Sequence, residues 1–126
     1  MDFIQIAKNA KEASLKIADL STEIKNKALL KIADEIEAAK GEIFEANKVD
    51  LELAQKLVDD GKLSKSTYNR LVFSEAKMRD MVAGIRDVAK LEDPINKKLL
   101  VRELDSDLTL YKVSCPIGVL GIIFEA

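Results

Sequence analysis

Histidine and tryptophan are absent from this sequence, cysteine occurs once, and aromatic residues make up only 5% of its 126 positions. Without histidine the commonest general base and metal ligand is missing, and a single cysteine can neither close an internal disulfide nor build a zinc site. No catalytic residue and no metal-ligand set is therefore assigned within these residues. The lone Cys115 fits a reducing compartment, and the expected location is cytoplasmic. No basic, apolar and small-residue leader precedes the first amphipathic pattern. The longest apolar run, Cys115 to Phe124, falls short of the roughly 20 residues that a membrane span requires. Charge of one sign does not dominate either. Twenty basic against twenty-two acidic residues give a net charge of −2, which suggests neither a nucleic-acid partner nor an acidic membrane.

What remains is 48% hydrophobic and 33% charged, a globular balance whose core must be built from Ala, Leu, Ile and Val. That composition favours helices. Residues 2–20 place Phe3, Ile6/Ala7, Ala10, Ala13, Ile17 and Leu20 three or four apart, the stripe of an amphipathic helix. Ser21 has the chemistry of an N-cap and Glu23 suits the first turn of the next helix. A second stripe runs through Ile24, Ala28, Ile32, Ile36 and Ala39 until Gly41 interrupts it. The third, through Phe44, Leu51, Ala54 and Leu57, ends at Gly61, a candidate C-cap. "STYNRL" reads as a brief helix. Ser74 then caps a longer one with Met78, Met81/Val82, Ile85, Val88/Ala89 and Leu91 on one face, stopped by Asp93-Pro94.

From Leu99 the period changes to two. "LLVREL" and "LTLYKVSC" flank "DSD", the pattern of an antiparallel hairpin. The last segment, "IGVLGIIF", does not alternate, and its continuous apolarity is that of a strand buried on both faces of a parallel sheet. Parallel pairing needs crossovers of a dozen or more residues. The expectation is therefore the front part of a larger α/β protein, reaching to the first strand of its sheet.

Chemistry-bearing motifs are few. "PIGVLG" has two glycines three apart but lacks the G-x-G-x-x-G spacing and the helix that should follow. Cys115, between Ser114 and Pro116 at a strand end with no histidine in the sequence, reads as a structural thiol. Arg70, Lys77, Arg79 and Arg86 could meet an anionic substrate and read instead as a solvated face.

Three stretches, "AKEASLKIADLSTEIKNKALLKIADEIE", "ANKVDLELAQKLVDDGKLSKSTYNRL" and "DPINKKLLVRELDSDLTLYKVSCPIGVLGIIFEA", closely resemble the N-terminal portion of the gamma-glutamyl phosphate reductase family within the aldehyde dehydrogenase superfamily. The resemblance implies an α/β parent fold. Residues 1–98 would be a helical layer of the nucleotide-binding domain, 99–115 a hairpin of the oligomerisation arm, and 116–126 the first strand of a Rossmann-type sheet. It also implies NADPH-dependent reduction of L-glutamyl 5-phosphate to glutamate 5-semialdehyde in proline biosynthesis, by a homo-oligomer whose nucleophilic cysteine lies outside these residues. Phe124, Glu125 and Ala126 would approach the cofactor, and Met78 and Met81 would border the substrate tunnel. A non-catalytic helical interaction or assembly module is the alternative. "DPIN" departs from the family's Asp-Pro-hydrophobic-Gly, which leaves the turn into the hairpin open.

Overall fold

The computed structural model describes residues 2–123. Among them are five helices, α1 Phe3–Ala18, α2 Thr22–Ala38, α3 Lys40–Asp59, α4 Lys65–Leu71 and α5 Glu75–Val88, followed by strands β1 Lys98–Asp105 and β2 Leu108–Val113. The mostly helical chain with a closing hairpin is the fold expected from the sequence.

Short polar side chains set the helix starts. Asp2 accepts from the backbone N–H groups of Ile4 and Gln5, Ser21 from Ile24, Ser64 from Thr67 and Ser74 from Lys77. Each occupies a donor that the first turn leaves without a helical partner. The α2–α3 break is slight: the Ala39 N–H donates to the Glu35 carbonyl and the Ile43 N–H to the Ala39 carbonyl. Gly41 lies in the first turn of α3, just beyond that break.

At the end of α3 the chain turns through Gly61, whose φ is +71°. The Lys62 N–H reaches the Leu57 carbonyl at 2.8 Å and the Gly61 N–H reaches the Val58 carbonyl at 2.9 Å. This paired 6→1 and 5→2 arrangement is a Schellman cap, which needs a left-handed residue at the position that glycine fills. Helix α5 ends at Val88, ahead of the residues where Pro94 would have stopped it, and the Lys90 N–H closes a tighter turn onto the Asp87 carbonyl.

The described residues form two compact units, one made of residues 2–25 with 91–123, the other of Asn26–Lys90. In the second unit Ala33 of α2 and Met78 and Val82 of α5 form the buried centre, packed round by Ile36, Ile43, Phe44, Phe73 and Ile85. The Phe44 and Phe73 rings meet tilted at 54° with centroids 6.2 Å apart, a favourable aromatic geometry. Asn47 ties the α4–α5 link to α3: its Nδ2 donates to the Leu71 carbonyl and its Oδ1 accepts from the Phe73 N–H.

Two helical faces differ from the periodic stripes. In α2 the covered line is Leu29, Ala33 and Ile36, while Ile24 and Ile32 are exposed. Ala33 carries a side chain small enough to let Met78 and Val82 approach. In α1 the half-covered row is Ala10, Ser14 and Ala18, and Phe3 of the expected stripe is 77% exposed.

Within the first unit, β1 and β2 pair antiparallel, Val101 opposite Tyr111 and Glu103 opposite Thr109, with irregularities between Lys98 and Leu100 and between Glu103 and Asp105. Ser106 and Asp107 make the turn, Asp107 taking a φ of +63°. The side chains of both strands are exposed. Residues 114–123 pair with neither strand and form no helix. Residues 117–123 of "IGVLGIIF" have no ladder partner among the described residues, and the parallel strands expected to flank that segment are expected outside these 126 residues. Beyond 123, that expectation lies outside the described residues.

Candidate functional site

The first unit contains the most strongly perturbed ionisable group. Lys25 Nζ donates to Asp93 Oδ2 at 2.9 Å, the Thr22 hydroxyl donates to the same oxygen at 2.9 Å, and the Ile95 N–H donates to Oδ1 at 3.0 Å. The Lys25 hydrogen bond, followed by those from Ile95 and Thr22, lowers the Asp93 carboxyl from 3.8 to about 2. These donors stabilise only the ionised form. A carboxylate locked in that form is a poor general base near neutrality, so the arrangement works as a clasp rather than as a proton carrier.

Next to the clasp, Asn96 takes a φ of +59° and its N–H donates to the Ser114 carbonyl. The Ser114 N–H in turn donates to the Lys97 carbonyl, while its hydroxyl accepts from the Lys97 N–H and donates to the Pro94 carbonyl. This resolves the "DPIN" turn: the position where the family pattern has glycine requires a left-handed backbone, and asparagine is among the few other residues that tolerate it. Ile17, Ala18, Lys25, Asp93, Ile95 and Pro116 line a concave surface of about 300 Å³ beside the clasp. Its walls are largely apolar and its one ion pair is internally satisfied.

In the second unit, Glu37, Lys40, Glu75, Arg79, Met78 and Val82 surround a groove of about 230 Å³. Lys40 Nζ lies 2.7 Å from Glu75 Oε1, and this contact, chiefly its hydrogen bond, lowers the Glu75 carboxyl below its usual value. Arg86 bridges Asp34 at 3.0 Å and Glu37 at 2.7 Å, which raises its already high pKa. Lys77 donates to the carbonyls of Arg70 and Val72. Two of the four basic residues singled out in the sequence thus have specific intramolecular partners.

Of the residues read as bordering a substrate tunnel, Met78 is 2% exposed at the core centre, with one edge on this groove, while Met81 is 39% exposed and lies outside both the core and the groove lining. Phe124, Glu125 and Ala126, read as cofactor contacts, lie outside the described residues. Cys115 is an exposed free thiol. No group of His, Cys, Asp and Glu among the described residues has the arrangement of a metal site, and no described helix is long and apolar enough to cross a membrane. In the sequence Asn47 reads only as a polar residue within a helix and Asp93 only as a residue at a turn, since Leu71 and Phe73 lie 24 and 26 positions from the first, and Thr22 and Lys25 lie 71 and 68 from the second.

No protein-family model matches the chain. It is 61% identical over all its residues to a protein of Brachyspira hyodysenteriae and 50% identical over all of them to one of Ruminiclostridium cellulolyticum. A protein of Methanosarcina mazei is 48% identical over 93% of the chain. Crystal structures from Saccharomyces cerevisiae and Thermotoga maritima superpose on 89% and 90% of it, with TM-scores of 0.78 and 0.81 and identities of 43% and 29%. Sequence and fold therefore agree on one class of homologue, a reductase. The homologues are gamma-glutamyl phosphate reductases, and the chain spans 26–29% of the length of the three curated relatives.

Proposed function

We propose that these residues form part of an NADPH-dependent gamma-glutamyl phosphate reductase of the cytoplasm, an oxidoreductase of proline biosynthesis within the aldehyde dehydrogenase superfamily. The overall reaction takes L-glutamyl 5-phosphate, NADPH and a proton to L-glutamate 5-semialdehyde, phosphate and NADP. The 61% identity across the whole chain carries this reading. NADPH, when bound, supplies the hydride. The described residues present no glycine-rich turn opening onto a helix N-terminus, so no cofactor contact is assigned to them. Their contribution is structural: the clasp at Asp93 holds the entry to the hairpin, and the Ala33–Met78–Val82 core holds α5. The hairpin, exposed along both strands, supports a homo-oligomeric contact as a further part of the proposal.

The test joins the 126 residues to the remainder of the Brachyspira enzyme and follows NADPH formation from glutamate 5-semialdehyde, NADP and phosphate. Turnover with NADP by the joined protein supports the reading. A folded but inactive joined protein contradicts it, and turnover by the 126 residues alone would move the chemistry into this chain.

A further inference from the structure

We draw no further inference here: the strongest candidate, the exposed apolar surface of the β1–β2 hairpin with the neighbouring residues 117–123, has nothing in the structure to show what covers it beyond the assembly role already proposed.

Discussion

Asn96 and Asp93 stand three positions apart and do different work at the base of the hairpin. Asn96 supplies backbone conformation, with φ +59°. Replacing it by glycine should change stability by less than about 0.5 kcal/mol, whereas Asn96→Val should cost about 1–2 kcal/mol because a β-branched side chain clashes in the left-handed region. Denaturant melts of the two variants against the parent check both. Asp93 supplies charge. Its carboxyl titrates lower when folded, about 2 against 3.8, so the folded state binds fewer protons than the unfolded chain between those values. The stabilisation is complete above the unfolded value and disappears as pH falls through the folded one. Asp93→Asn should therefore lower the melting temperature near neutrality, and the gap from the parent should shrink between about pH 4 and pH 2. A gap independent of pH would mean that the clasp acts through shape alone.

Among the elements, helix boundaries were the most legible feature of the sequence because their determinants are local. Ser21, Ser74 and Gly61 each act within three or four residues of themselves, and each does in the structure what its chemistry suggests. The Gly61 turn is exacting. Nothing lies within 4 Å of where a Cβ would stand, so Gly61→Ala should cost about 1–2 kcal/mol through backbone strain alone. Urea unfolding would measure it, and a loss well above that range would point to a packing role for the turn. Helix faces were less legible. The stripe through Ile24 and Ile32 satisfies the helical period, yet the covered line runs through Leu29, Ala33 and Ile36, since periodicity does not say which neighbour a helix meets. The Asn47 and Asp93 contacts were hidden for the same reason, their partners being distant in sequence.

For the whole molecule, the balance of covered and exposed apolar surface is the dominant fact. Among the described residues Ala33, Ala54, Met78 and Val82 are the buried hydrophobic ones, while Ile117, Leu120 and Ile122 are more than 65% exposed. Apolar segments with unpaired backbone groups associate with one another. The separate 126-residue chain should self-associate at raised concentration, and Ile122→Lys should reduce that association in sedimentation runs. A monodisperse monomer at high concentration would contradict it. The end strand was legible as an apolar segment and not as a paired one, because pairing is a property of two segments.

In the proposed reductase these residues supply shape and not the nucleophile, and Cys115 provides the most direct test. The measurement is kcat/KM for NADPH formation by the joined protein carrying Cys115→Ala, beside the unsubstituted joined protein. Values within about threefold of each other are expected, since Cys115 is an exposed thiol in a sequence with no histidine to activate it. A loss of about a thousandfold or more in a variant that still folds would contradict that expectation and make Cys115 part of the chemistry.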